Sequence, residues 1–541
     1  MTTNIVLGVS LVMLLCILSE KFSYKIGMPA LVFFMFVGML FGSDGIAKIP
    51  YNSYSSAETI CSIALIFIMF QGGFTTNWKV ARPYISKAAS LSTLGVLLTA
   101  LISTAGCHFL LNLNWQESFL ISSVLASTDA ASVFSILKRH NLDLKDGTSP
   151  ILEVESGSND PMAYLLTMTA VGIIQSGRVS NILLSIFLQI FLGFFFGILF
   201  ARLTRRILSL KNIANDGMDT IIIISATTLC YALTDKLGGN AYLSVYLMGL
   251  YLGNTRINSK RVIITFFNDL TSLLQMLIFF IIGLLSTPSR MPQSIPMAIT
   301  VSVILTFIAR PLMTVILLRL QGCSMRQCML ISWAGLRGAS SIVFAISAVS
   351  SGISLSFDLF HVVFVVSLFS IALQGALLPL TSRKLSMIDE SPNIFKTFND
   401  FEDTVDFQFV KAHINPGNSW IGQKIKKIDI PFHSQVVMIK RRDKTIAARG
   451  HTVIEEGDDL ILNIPAYLPA RNERVNEVHV TEKNPWVGKT LEEIGMPDNQ
   501  LMIMIIRDDK KIIPNGDTVV NSGDTLLIFE GERQKKNRDA Q

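Results

Sequence analysis

The sequence predicts an all-α polytopic membrane domain of about thirteen helices, followed by a soluble α/β tail of two tandem small modules. Three observations predict this. Half of the 541 residues are hydrophobic and the mean hydropathy is +0.48, too apolar for a soluble enzyme of this length. Apolar runs of 15–25 residues recur from Met1 to about Lys384, near the roughly 20 residues that cross a bilayer. Beyond them the chain turns polar, and a pattern of about 50 residues recurs there at a fixed offset of 66.

In chain order, spans are expected near 4–19, 28–43, 57–72, 88–111, 117–137, 150–176, 181–204, 218–235, 240–254, 262–286, 295–318, 327–350 and 358–382. The first opens with MTTNIVLGVSLVML, which lacks the basic stretch of a signal peptide. Loop charge tests the count. With the N-terminus outside, inner loops hold 19 Lys and Arg and outer loops 4, the bias expected of a multi-pass protein with a cytoplasmic tail. The predicted location is a bacterial cytoplasmic (inner) membrane. Residues 1–384 carry 25 Lys+Arg and 15 Asp+Glu, a net of +10, whereas the other 21 Lys+Arg and 25 Asp+Glu give the tail −4. An acidic tail and loop-confined basic charge argue against nucleic-acid binding. All six cysteines lie in or beside spans without metal-ligand spacing and read as small packing residues.

Charge inside a bilayer costs about 2.5–3.5 kcal/mol per residue on insertion scales, so it persists only with a partner, a wet cavity or a function. Mid-span charges here are Asp129, Glu155, Asp160, Arg310 and Arg337, with Glu153 nearer an edge. Asp129 sits in the small polar run Ser127-Thr128-Asp129-Ala130-Ala131-Ser132, whose hydroxyls can cap a broken helix and leave carbonyls free for a cation. The alternative, an ion-free kink, leaves Asp129 unexplained. In LEVESGSNDP, Ser156 and Asp160 share a helix face, Glu155 and Asn159 the adjoining one. Pro161 lacks an N–H and is expected to disturb the preceding turn. Oxygen ligands there suit an alkali cation, and a carboxylate can also take a proton. One carboxylate serving both makes their binding mutually exclusive, the minimum chemistry of antiport. Arg310 and Arg337 are the counter-charges, and one of them is expected to pair with Glu155, leaving Asp160 free to titrate. The run from Gly335 to Ser341 reads as a second broken helix. Two interrupted spans in corresponding places point to an inverted-repeat transporter with a midplane site.

The joint set Thr128-Asp129, Glu155-Ser156-x-x-Asn159-Asp160-Pro161, Arg310-Pro311 and Gly335-x-Arg337-Gly338 resembles the cation/proton antiporters of the NhaP and sodium/proton exchanger type, over about residues 5–385. The resemblance implies that Asp160 is the essential ion- and proton-binding carboxylate, with Thr128, Asp129 and Ser156 lining the site and Glu155 a structural partner of an arginine. Electrogenic relatives carry a second Asp where this chain has Asn159, so the resemblance implies electroneutral one-for-one exchange. It also implies a homodimer whose core domain moves like an elevator. The cation is K⁺ or, alternatively, Na⁺ or Li⁺, since oxygen ligands alone do not choose. A ligand-gated cation channel is the reading from another class; it needs a filter such as TVGYG, which the sequence lacks. No cofactor is expected, and the protein is not expected to be an enzyme.

In the tail, Trp420-Ile421-Gly422 recurs as Trp486-Val487-Gly488, Gly450-x-Thr452-Val453 as Gly516-x-Thr518-Val519 and Gly457-Asp458 as Gly523-Asp524. Alternating runs at Val436–Lys440 and Leu501–Ile505 read as strands. Both units resemble the TrkA-C lobe of potassium-conductance regulators, a type that accompanies potassium handling and tilts the cation toward K⁺. Gly488-Lys489-Thr490 is not a phosphate loop, because position 483 is Lys where that motif needs Gly. The tail is read as a sensor of pH or of a small anionic, nucleotide-type ligand, or else as a ligand-free dimerisation platform. The expected division is a transporter domain at 1–385, a linker at 386–404, modules at 405–466 and 476–533, and a charged end at 534–541.

Overall fold

A computed structural model of the chain describes residues 2–26, 29–140, 142–176, 182–209, 218–255, 257, 260–389, 407–428, 435–441, 444–465, 474–480, 484–496, 500–507, 510–512 and 514–530. Most of the expected linker and all of the charged end lie outside the described residues. The chain divides into two compact units, Met1–Asp403 and Thr404–Gln541.

The first unit is helical. It opens with α1 (Thr2–Ile26), α2 (Ala30–Phe41), α3 (Tyr54–Thr75) and α4 (Arg82–Leu111). An interrupted pair follows, α5 (Trp115–Val124) and α6 (Ala130–Arg139), then α7 (Thr148–Ser176), α8 (Ile182–Leu208), α9 (Met218–Lys236), α10 (Ala241–Gly253) and α11 (Lys260–Leu285). After α12 (Pro288–Arg319) comes a second interrupted pair, α13 (Met325–Trp333) and α14 (Ala339–Ser350), and then α15 (Leu359–Lys384). Among the described residues, seven of these helices are long and apolar enough to cross a membrane: α3, α4, α8, α9, α11, α12 and α15. One apolar face of α8 points outward: Phe187, Phe191 and Phe195 are exposed and stack at four-residue spacing, a surface suited to lipid rather than water.

Close backbone approach explains the glycines spaced four apart at Gly38/Gly42 and Gly249/Gly253. A Cβ on Gly38 would run into the carbonyl of Phe280 on α11, and Cβ atoms on Gly249 and Gly253 would run into the carbonyls of Phe70 and Phe74 on α3. Without side chains, α2 packs on α11 and α10 on α3 at backbone distance. Pro161 does not break α7, which is continuous through it. The expected disturbance reduces to one missing N–H, which leaves the carbonyl of Gly157 without its helical donor. Strands β1 (Asp143–Leu144) and β2 (Ile388–Asp389) pair antiparallel, clipping the segment after α6 to the one after α15.

The second unit holds two four-stranded antiparallel sheets. One comprises β3 (Phe407–His413), β4 (Gln435–Arg441), β5 (Lys444–Ala447) and β6 (Asp459–Pro465) in the order β3-β6-β4-β5. The other comprises β7 (Arg474–His479), β8 (Gln500–Arg507), β9 (Lys510–Ile512) and β10 (Thr525–Glu530) in the order β7-β10-β8-β9. Each strand of the second sheet takes the place of the strand 66 residues earlier. The same ties hold both. Arg441 Nε donates to Asp458 at 2.7 Å and its Nη2 to the Val453 carbonyl at 2.8 Å, while Arg507 does the same to Asp524 at 2.8 Å and Val519 at 2.7 Å. Gly488, read in sequence against a phosphate loop, has φ +82° and leads into Thr490, which caps the one-turn helix Leu491–Ile494 reciprocally with Glu493.

Candidate functional site at a crossing of interrupted helices

The residues that interrupt the two pairs meet one another. Between α5 and α6 the chain leaves the helix at Leu125–Asp129, and between α13 and α14 at Ala334–Gly338. The Asp129 N–H donates to the Leu336 carbonyl at 2.8 Å, and Arg337 Nη1 donates to the Ser127 carbonyl at 2.5 Å. Each break thus supplies the partner that the other break's backbone has lost. Arg337 also donates its N–H to Ser370 at 3.0 Å. Gly338 lies under the Asp129 carboxylate, where a Cβ would collide with it, and a Cβ on Gly335 would stand 2.6 Å from Arg310 Nε. Both glycines make room for a charged side chain.

α7 runs past this crossing and carries two buried carboxylates, Glu155 and Asp160. Glu155 Oε1 takes Arg310 Nη2 at 2.5 Å, with exposures of 1 % and 2 %. Of the two arginines left open by sequence, Arg310 is the partner. It stands at the end of a π-helical turn, Ile304–Ala309, inside α12. Asp160 is treated differently. Its carboxylate accepts from the hydroxyl of Ser127 in the first break and from that of Ser340 on α14 at 2.7 Å. Among the described residues no arginine, lysine or histidine forms an ion pair with it. Ser340 is the second residue of α14, so Asp160 also faces the positive end of that half-helix.

The remaining expected site residues hold the first break in shape. Ser156 Oγ donates to the Thr128 carbonyl at 2.8 Å and accepts from the Ala130 N–H at 2.7 Å. Asn159 Nδ2 donates to Thr128 Oγ1 at 2.5 Å. The Asp129 carboxylate accepts from the Ser132 hydroxyl at 2.6 Å and N–H at 3.3 Å, capping α6. Thr128, Asp129, Ser156 and Asp160 line one cavity of about 400 Å³, with Ser340, Gln71, Thr75 and Glu153 on its other walls. A neighbouring cavity of about 660 Å³ shares Leu31, Ala131, Ser135 and Gln275 with it and carries Arg139 on its wall. Sequence reasoning missed Ser127 and Ser340 as partners of Asp160. Both lie in the polar runs that marked the breaks, but nothing in those runs says which hydroxyl meets the carboxylate.

A buried carboxylate held by hydroxyls alone, beside a polar cavity where two interrupted helices cross, defines an ion-coupled membrane transporter. The chain belongs to the sodium/hydrogen exchanger family, whose transmembrane model matches residues 10–384, and a TrkA-C domain matches residues 475–529. It is therefore a multi-pass membrane antiporter of monovalent cations and protons by class, not an enzyme. The K(+)/H(+) antiporter NhaP2 of Shewanella sp. (strain ANA-3) is 31% identical over 478 residues, covering 87% of this chain and 83% of that protein. The K(+)/H(+) antiporter NhaP of Alkalimonas amylolytica is 30% identical over 465 residues, covering 85% and 80%. In fold, the chain is similar to the sodium proton antiporter MjNhaP1 from Methanocaldococcus jannaschii, with a TM-score of 0.63 at 23% identity over 71% of this chain and 99% of that one.

Proposed function

We propose that the protein exchanges K⁺ for H⁺ across the bacterial inner membrane, with Asp160 alternating between cation and proton. The observation that carries this reading is the contrast on α7: Glu155 is neutralised by Arg310, whereas Asp160 meets hydroxyls only. A carboxylate without a fixed counter-charge needs a mobile one, and a cation or a proton serves. Asn159 supports electroneutral exchange, because it brings no second charge and its amide is engaged by Thr128. In this reading the chain crosses the membrane thirteen times with its N-terminus outside, supported by the 19-to-4 loop charge. The cavity pair that reaches Arg139, on an inner loop, is then the cytoplasmic approach to Asp160. Alternation between the two faces is of the elevator type, in a homodimer.

K⁺ is preferred over Na⁺ or Li⁺ because the relatives from Shewanella and Alkalimonas, which cover 87% and 85% of the chain, are named for K⁺, and because of the TrkA-C tail. The like topology of the two sheets supports reading both as TrkA-C modules. In this reading they tune exchange by binding a small anionic, nucleotide-type ligand or by sensing pH.

The test is dequenching of a preset pH gradient in everted vesicles on addition of K⁺, Na⁺ or Li⁺. K⁺ should dissipate the gradient best, Asp160→Asn should abolish the signal, and deletion of 400–541 should keep exchange but change its activation. Exchange at the normal rate by Asp160→Asn would sink the mechanism.

A further inference from the structure

At one face the two tail modules share a backbone and carry opposite charge. In the first, the N–H groups of Ile425 and Lys426 donate to the carbonyls of Thr452 and Gly450 at 3.0 and 3.1 Å. In the second, those of Leu491 and Glu492 donate to Thr518 and Gly516 at 3.1 Å each. These bonds fix the equivalence of positions independently of residue identity. Glu492 then stands where the first module has Lys426, Glu493 where it has Lys427, and Asp517 where it has His451. Asn515 replaces Arg449 in the same turn. Only Lys489, in place of Gln423, runs against the pattern. All these charged side chains are exposed, and among the described residues none has an ion-pair partner within the chain.

We propose that these faces are the contact between the tails of two copies of this chain, the basic face of one copy's first module docking on the acidic face of the other's second module. The inference rests on the homodimer reading above. A twofold axis makes such a contact twice, first on second and second on first, and closes the assembly. First on first would set Lys426, Lys427 and Arg449 against their own kind, so the inversion selects the unlike pairing and rejects the like one. Neither face has an ion-pair partner within the single chain among the described residues, although Glu493 accepts from the Thr490 N–H of its own turn at 2.9 Å, and their complementary charge makes the second copy the occupant. An anionic bilayer would use Lys426 and Lys427, but it leaves the complementary acidic face at the same positions without a role.

The test uses full-length protein in its membrane. All six native cysteines are buried, so Lys426→Cys and Glu492→Cys report without background. A chain with both should give a covalent dimer on oxidation, each single variant none, and the two single variants co-expressed should link to each other. Adding Lys427→Glu to the double-cysteine chain should cut the dimer by about tenfold, and Glu493→Lys on top should restore it. Salt at 1 M, where the Debye length is about 3 Å, should weaken the link. A dimer from Lys426→Cys alone, a link formed only within one chain, or no link at all would overturn the inference. So would a link indifferent to Lys427→Glu but dependent on anionic lipid. The mass of the uncross-linked protein separates the two readings: a monomer removes the homodimer, whereas a dimer that does not link removes only this contact.

Discussion

In the membrane unit the two interrupted helices complete each other with unlike residues: the Asp129 N–H goes to Leu336, Arg337 to the Ser127 carbonyl, and Gly338 gives way to Asp129. In the tail each copy completes itself with like residues, Arg441 on Asp458 and Arg507 on Asp524. The difference teaches how far damage should travel. A tail module carries its own tie, so a change in one should leave the other intact. Neither broken helix is satisfied without the other, so a change in either should be felt at Asp160.

The largest expected effect tests that coupling at its most buried point. Glu155→Gln leaves the guanidinium of Arg310 buried beside a neutral partner, which costs about 3–5 kcal/mol. Membrane-inserted yield and thermal stability in detergent should both drop sharply. Replacing the pair together, Glu155→Leu with Arg310→Met, removes the uncompensated charge and is often near neutral. The double variant should therefore recover stability and retain exchange. A double variant that folds but does not exchange would show that the pair takes part in transport itself.

Gly338→Ala comes next. A Cβ there collides with the Asp129 carboxylate, and relief by shifting one helix against the other costs about 1–3 kcal/mol. The variant should insert, since the clash is local, but exchange should fall because Asp129 and Ser340 flank the moved backbone. Normal exchange at normal affinity would mean that the two breaks are not mechanically joined.

This coupling also sets what the sequence could disclose. Asp160, Glu155 and Arg310 were legible because a charge in an apolar run is costly wherever it sits, so its presence alone signals a purpose. The glycines of Gly335-x-Arg337-Gly338 were legible as an irregularity, yet their reason, space for Arg310 and Asp129, exists only once distant segments cross. Ser127 and Ser340 were hidden for the same cause: a serine is cheap in any polar run, and only the crossing picks out two of them. Thr128, Ser156 and Asn159 were read as site residues, and the structure spends their polar groups on shaping the break while Thr128 and Ser156 still line the cavity. Pro161 removes one N–H, yet α7 stays helical through it, so the disturbance is confined to one lost bond. The tail was legible in more detail because each module repeats the same residues for the same local job, and such repetition shows in one dimension.

The smallest expected effect lies in those tail ties and follows from acid. Hydrogen bonds from Arg507 hold the Asp524 carboxyl below the usual carboxylate range against its burial. At Asp458 burial pushes the carboxyl up, but Arg441 and the Glu455 N–H outweigh it and the net direction is again down. Both folded values therefore lie below the unfolded one, about 3.9. The stability these ties supply is present above the unfolded value and is lost as pH falls through the folded values, because in that window the unfolded chain binds more protons than the folded one. Hydrogen-exchange protection of β6 and β10, corrected for intrinsic rate, should fall together below about pH 4. Asp524→Asn should remove the acid sensitivity of β10 while leaving β6 as before, and Asp458→Asn the reverse. Arg441 is also paired with Glu455, whereas the second module has Asn521 at that place. Glu455 is largely exposed, so Glu455→Gln should cost β6 no more than about 1 kcal/mol and leave β10 untouched. If either substitution in one module lowered protection in the other, the modules would not be self-contained, and the contrast with the membrane crossing would fail.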